Sequence, residues 1–249
     1  VANSPTGDSV TDRLVRVLET FTPTRTVQTA AEIGRRAGLP SSTAHRVVGD
    51  LVAAGLLDRD GDGRVSVGLR LWALATRSSH ALRMRQAALP AMERVQARVR
   101  EHTQLAILEQ DEALFLERLS HPEAGANITR IAGRLPLHAA SSGLVLLAFA
   151  DRAVQERVLT RPLRRLTAAT PTDPATVRRT LAEVRRLGHV IAPGYVDVVS
   201  TGVAVPVRDA AGRATAALSV VLPREAPTAL ALEELRGAAR AVERALGAG

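Results

Sequence analysis

The chain has 249 residues, 46% hydrophobic and 23% charged, enough for one large domain or two ordinary ones and too apolar for a disordered polymer. No apolar run approaches the roughly 18 residues of a membrane helix, and the opening VANSPTGDSV lacks the basic-then-apolar order of a secretory signal. The absence of cysteine excludes disulfides, thiolate metal sites and a cysteine nucleophile, and fits a cytoplasmic protein. The formal charge is +8 and every one of the 33 basic residues is arginine. That excess suits an anionic partner such as nucleic acid, but an arginine-for-lysine, alanine-rich, aromatic-poor chain also has the actinobacterial-like composition of a GC-rich genome. Placement has to decide.

In chain order, Leu14, Val17, Leu18 and Phe21 form one apolar stripe of a helix that Pro23 ends. A second short helix fits Thr29 to Ala37, with Ala30, Ile33 and Ala37 inward and Gly38 as its left-handed stop. In a third, Ala44, Val47, Val48, Leu51 and Val52 face inward, while Ser41, Ser42, Thr43, His45 and Arg46 crowd the leading turns. Two short helices around a glycine turn, the second polar at its start, describe a helix-turn-helix. Only side chains near the leading end of such a helix reach base edges, and its dipole favours phosphate there. Leu56-Leu57 and Arg64 to Val67 read as strands around Asp60-Gly61-Asp62-Gly63, a hairpin wing with Arg59 and Arg64 flanking its tip. The DNA-contact candidates are therefore Thr29, Ser41, Ser42, Thr43, His45, Arg46, Arg59 and Arg64. The three hydroxyls equally suit helix capping, and His45 a plain surface position.

From Leu69 to about Met84, Leu71, Leu74, Ala75 and Ser78 suit a linker helix, and core packing is the favoured reading of Trp72. Beyond Pro90 a helix carries Met92, Val95 and Val99. Then TQLAILEQDEALFLERL alternates as two strands around Asp111-Glu112. Helical patterns follow over Ser141 to Ala150, Asp151 to Leu159 and Asp173 to Leu187. Strands Gly202 to Arg208 and Arg213 to Leu222 meet at Asp209-Ala210-Ala211-Gly212, and a last amphipathic helix carries Leu235, Ala239, Val242 and Leu246. Antiparallel hairpins among helices indicate an α+β domain. The loop Gly133 to His138 runs into a helix near Ser141-Ser142-Gly143, whose free N–H groups suit an anion. Tyr195, Asp197, Ser200, Thr201 and Ser219 lie on or beside the opposing strands. Ser141 and Ser142 as caps, and His138 as a loop clasp, are the structural alternatives.

The first segment resembles the IclR family of bacterial transcription regulators. The likeness is carried by AEIGRRAGLPSSTAHRVVGDLVAAGLLDRDGDGRVSVGLRLWALA, and downstream by RLPLHAASSGLVLLAF and GVAVPVRDAAGRATAALSVVLP. It implies an α+β chain with a winged helix-turn-helix domain over 1–70, a linker helix over 71–86 and a GAF-like α/β effector-binding domain over 87–249. It also implies a homodimer or dimer of dimers on a palindromic operator, controlled by a small-molecule metabolite, more often as a repressor. By resemblance, Leu135, Ser141, Ser142, Gly202 and Ser219 line the effector pocket, joined by His138, Tyr195, Asp197 and Ser200. The likeness departs where many relatives carry an acidic pair and a cysteine: Gly194-Tyr195 and Gly202 stand there, with Ala192 at a further acidic position. Those losses favour an effector larger or more apolar than a two-carbon acid.

Two other classes compete. A hydrolase using Ser141 or Ser142 with His138 and Asp197 would need an activated nucleophile and an oxyanion hole, yet the chain has no G-x-S-x-G elbow. A sequence-blind nucleic-acid binder would need exposed stacking aromatics, and Phe21, Trp72, Phe115, Phe149 and Tyr195 fall mostly in apolar patterns. No metal-ligand spacing and no cofactor motif is present, so no enzyme activity is expected.

Overall fold

The computed structural model describes residues 8–125 and 127–247. Residues 1–7 of the expected first domain, and Ala126 and residues 248–249 of the second, lie outside the described residues. The chain divides into two compact units, 1–79 and 80–249.

The first unit contains α1 (Val10–Glu19), β1 (Val27–Thr29), α2 (Ala30–Ala37), α3 (Ser41–Ala53), β2 (Leu57–Arg59), β3 (Arg64–Val67) and α4 (Leu69–Ser78). Ser9 starts α1 through a capping box with Asp12, satisfying two N–H groups that the helix itself cannot. Val17, Ile33, Val47, Val48 and Leu51 meet in one core with Leu57 and Val65. The helical periodicity therefore marked the buried face correctly. Gly38 adopts φ 63° and ends α2, a conformation only glycine takes without strain.

Gly34 has a second role that periodicity does not reveal. A Cβ built on it would lie 2.7 Å from Ala44 Cβ, so its bareness lets α2 and α3 approach. The wing is a three-stranded sheet of order β1-β3-β2, not the two-strand hairpin expected, because Val27–Thr29 pairs with Ser66–Arg64. Its turn closes on Asp60, whose carboxylate accepts from the Asp62 and Arg64 N–H groups at 3.0 and 2.8 Å. Beneath it Gln28 is buried and satisfied: its Nε2 donates to Thr20 Oγ1 at 3.1 Å, and its Oε1 accepts from Arg36 at 2.6 Å.

Two expectations for the linker fail. The helix read over 71–86 is two helices, broken at Ser79, whose ψ of 116° is extended. Trp72 is not core but 68% exposed.

The second unit runs α5 (His80–Val99), β4 (His102–Glu109), β5 (Glu112–Leu119), β6 (Arg134–Pro136), α6 (Ser141–Phe149), α7 (Arg152–Leu159), α8 (Pro174–Leu187), β7 (Val190–Pro193), β8 (Ser200–Arg208), β9 (Ala214–Pro223) and α9 (Ala229–Gly247). Pro90 lies inside α5 rather than ending a helix. The strands form one antiparallel sheet of order β6-β5-β4-β9-β8-β7. β6 occupies part of the stretch read as loop, and β7 is likewise new. α5 and α9 cover one face through Met84, Met92, Leu218, Leu235 and Val242. α6, α7 and α8 cover the other through Phe115, Leu144, Leu147, Val158, Leu181 and Val184. Pro206 fits in β8 because β7 pairs only with Thr201–Ala204, leaving that side of residue 206 without a strand to receive an N–H. Among the described residues no helix is long and apolar enough to cross a membrane.

The Gly34 contact makes opposed demands. Alanine would improve helix propensity by about 1 kcal/mol, while overpacking against a backbone-borne methyl costs about 1–3 kcal/mol. Gly34→Ala is therefore expected to lower the thermal midpoint of the first unit, measured by circular dichroism on the full chain; an unchanged or raised midpoint would contradict the close approach.

Candidate nucleic-acid interface and effector cavity

In the first unit, α3 begins at Pro40 without a side-chain cap and without an acidic residue in its first turn. The capping alternative for Ser41, Ser42 and Thr43 thus fails, since none of their hydroxyls bonds among the described residues. Ser41, Ser42, His45 and Arg46 are exposed and Thr43 is half-buried. Arg46, Arg59 and Arg64 have exposed side chains with no carboxylate partner among the described residues. The helix start therefore offers free N–H groups, three small hydroxyls and a free guanidinium on one surface, which is the equipment for phosphate and base edges. Thr29 differs. Its backbone N–H and hydroxyl both donate to Glu32 (2.8 and 3.0 Å) and its oxygen accepts from the Glu32 N–H. The backbone bond from Thr29, followed by the hydroxyl bond, holds the Glu32 carboxyl below the usual carboxylate range.

Charge is not concentrated there. Residues 1–79 hold ten arginines against eight carboxylates, so most of the +8 lies in the second unit. The uncapped start of α3, rather than domain charge, marks the surface.

In the second unit a small cavity, partly open to solvent, lies between the sheet and the start of α6. Leu135, Ser141, Ser142, Tyr195, Asp197, Ser200 and Gly202 all line it. α6 is apolar on all sides, and Leu144 to Ala148 are buried. That burial fixes the helix against the sheet with its N-terminus at the cavity. The N-cap is Ala140, no side chain caps the helix, and its first turn holds no acid. Ser141 and Ser142 are 8% and 1% exposed, and neither hydroxyl bonds among the described residues, so the capping alternative fails here too. Gly143 lies so close to Leu137 that a Cβ would come 2.6 Å from its carbonyl oxygen, and one on Gly202 would come 2.6 Å from Ser141 Oγ. Ser141 therefore keeps its place only because residue 202 is bare.

His138 and Ser219 do not line the cavity. His138 is buried with Nε2 donating to the Arg164 carbonyl at 2.9 Å, the loop-clasp reading. No serine or Asp197 bonds it, so the hydrolase constellation does not assemble. Ser219 lies behind the wall and donates to Gln104 Oε1 at 3.4 Å.

The sequence reading missed Gln104, Phe115, Asn127, Ile128, Thr129 and Val221 on the wall. Gln104 had little signal: with His102 and Thr103 it forms the polar opening of β4 before the apolar run. Asn127 to Thr129 had none, because residues 120–125 and 127–133 form no regular element and carry no period.

The helix-turn-helix with its free leading turn, and the sheet domain with a cavity at a helix start, have clear counterparts. The family model described as IclR helix-turn-helix domain matches residues 10–61, and that described as Bacterial transcriptional regulator IclR C-terminal matches residues 76–247. The chain belongs to the IclR family of bacterial transcriptional regulators. It is 28% identical over 242 residues to the HTH-type transcriptional regulator XynR of Escherichia coli, covering 95% of this chain and 96% of XynR. It is 30% identical to the regulator BhcR of Paracoccus denitrificans, covering 78% of this chain and 71% of BhcR. The crystal structure of an IclR homolog complexed with 4-hydroxybenzoate from Microbacterium hydrocarbonoxydans is 58% identical, with a TM-score of 0.92 over 97% of this chain and 100% of that one. This IclR-family chain is a DNA-binding regulator, not an enzyme.

Burial pushes the His138 imidazole down from its ordinary value of 6.5, against the upward pull of the Arg164 carbonyl. The unfolded chain then binds a proton that the folded chain refuses. Stability is full above pH 6.5 and falls as acid takes the pH below it. His138→Gln, which keeps a donor without titrating, is expected to flatten the drop in thermal midpoint between pH 7 and 5.5; parallel curves for both proteins would contradict this.

Proposed function

We propose that this chain is a homodimeric repressor of a palindromic operator, released or tightened by a small aromatic carboxylic acid bound in the second unit, and that it works in the cytoplasm. In this reading α3 enters the major groove, with Ser41, Ser42, Thr43, His45 and Arg46 facing bases and phosphates. Arg59 and Arg64 hold the backbone beside the wing, and Thr29 contributes indirectly, by capping α2.

The observation that carries the effector reading is the start of α6. Two buried hydroxyls and the free N–H groups of an uncapped helix face a cavity with no cation on its wall. A carboxylate is the ligand group such donors suit. Phe115, Leu135 and Tyr195 supply surfaces for a ring, and the Microbacterium protein, solved with 4-hydroxybenzoate, shares this fold at 58% identity. His138 and Ser219 act from behind the wall, as clasp and support. A ligand changes operator affinity only by binding two arrangements differently, so the acid and the operator must compete or cooperate reciprocally.

The dimer reading is supported by α4. Leu69 and Trp72, three residues apart, are 79% and 68% exposed, an apolar stripe that a second copy would cover.

Three measurements test this. Arg46→Ala is expected to weaken operator binding about tenfold or more, a base contact's worth, while 4-hydroxybenzoate affinity by calorimetry stays unchanged; equal loss of both would refute the division of labour. Trp72→Glu is expected to shift the sedimenting species from dimer toward monomer, and a variant that remains dimeric would remove α4 from the interface. Absence of binding by benzoates to the full chain would refute the aromatic-acid reading.

A further inference from the structure

A one-way hydrogen-bond chain crosses the cavity wall. Ser219 Oγ donates to Gln104 Oε1 at 3.4 Å, and Gln104 Nε2 donates to Thr129 Oγ1 at 2.5 Å. Thr129 Oγ1 donates in turn to Asn127 Oδ1 at 2.8 Å. The Thr129 backbone N–H also donates to Asn127 Oδ1, at 2.9 Å. A backbone N–H cannot accept, so the Asn127 amide has only one possible orientation. The chain therefore ends on Asn127 Nδ2, which is buried and has no partner, while Asn127 lines the cavity. A buried donor without an acceptor is costly and calls for an explanation.

The amide is held independently of any ligand. Arg118 Nη1 donates to the Thr129 carbonyl at 2.5 Å, and His102 Nε2 donates to the Gly125 carbonyl at 2.5 Å, pinning both flanks of the segment to the sheet. Its position relative to α6 follows from the strand order. Gln104, which supports this end, pairs with Ser219 of β9. Gly202, against which Ser141 packs, belongs to β8 on the far side of β9. With strands about 4.8 Å apart, the backbones of Gln104 and Gly202 stand about 10 Å apart across the sheet.

We infer that Asn127 Nδ2 is the specificity-determining donor of this cavity, reading an oxygen acceptor on the ligand opposite the carboxylate that α6 holds. The ligand then lies across the strands with polar groups at both ends of its ring, a para arrangement. An ortho pair, with both groups on one side, leaves Nδ2 unsatisfied. This assignment rests on the aromatic-acid reading above and goes beyond it by choosing among such acids.

The test is calorimetric titration of the full chain with benzoate, 4-hydroxybenzoate and 2-hydroxybenzoate, for the wild type, Asn127→Asp and Asn127→Ala. Aspartate keeps the oxygen that accepts both Thr129 bonds and replaces only the free donor; alanine removes both, so the two variants perturb the segment differently. The wild type is expected to prefer 4-hydroxybenzoate over benzoate by about tenfold, as one buried hydrogen bond provides, and to give 2-hydroxybenzoate no such advantage. In Asn127→Ala that ratio should collapse to about one. In Asn127→Asp the donor becomes an oxygen to which the ligand hydroxyl can itself donate, so a ratio that survives there but not in the alanine variant also assigns the contact to this position. A ratio preserved in Asn127→Ala, or benzoate and 4-hydroxybenzoate weakened equally, would show that Asn127 only shapes the segment and would overturn the assignment alone. A wild type that binds none of the three would overturn the aromatic-acid reading and this assignment with it.

Discussion

The burial of α6 is the constraint on which the second unit depends. Its sequence, SSGLVLLAF, is apolar around the whole circumference, and a helix of that kind is stable only when enclosed. The sheet supplies one wall and α8 another, with Leu144, Leu147, Leu181 and Val184 in one core. Enclosure leaves no freedom in where the helix starts. Gly143 is pressed against Leu137 and Ser141 against Gly202, so the uncapped N-terminus is delivered to the cavity by packing. The polarity of the site is thus a by-product of an apolar fit, which explains how two buried serines stand without partners in the chain: their surroundings were settled by the leucines behind them.

The same logic separates what was legible in the sequence from what was not. Periodicity reports which face of an element is buried, so the stripes of α1, α2 and α3 and the alternation of β4, β5, β8 and β9 could be read directly. It cannot report the three-residue strands β1 and β6, which are too short to show a period and form only because a longer strand offers an edge. Nor could it place Trp72, because an apolar stripe looks the same whether its partner lies within the chain or outside it. Ser141, Ser142 and Gly202 were found through resemblance. Gln104 stood beside His102 and Thr103 in the polar opening of β4, and its meaning depends on Ser219 and Thr129, 115 and 25 residues away. Long-range hydrogen-bond direction leaves no local trace.

Composition proved the weakest guide. The arginine excess suggested a basic DNA-binding face, yet the first unit is close to charge balance, and its candidate interface is defined by the uncapped start of α3. Several arginines of the second unit are occupied structurally: Arg157 and Arg161 share Asp111, and Arg178 pairs with Glu156. Exposed pairs of this kind contribute at most about 1 kcal/mol each, so they account for little of the stability. They do show that arginine count and anion binding are separate matters in this chain.

β5 ties the cavity to the opposite face of the sheet. Arg118 reaches the Asn127 and Thr129 carbonyls on the cavity side, while its neighbour Glu117, only 3% exposed, pairs with Arg85 of α5 at 2.5 Å. Adjacent strand residues point to opposite faces, so one peptide bond links the segment on the cavity wall to the helix packed on the other side. A buried carboxylate loses several kcal/mol, about 3–5, when its partner is withdrawn, which makes a gradual slide of α5 past Glu117 unfavourable. α5 and β5 therefore shift together or exchange one paired arrangement for another. In chain order α5 is the helix that follows Ser79.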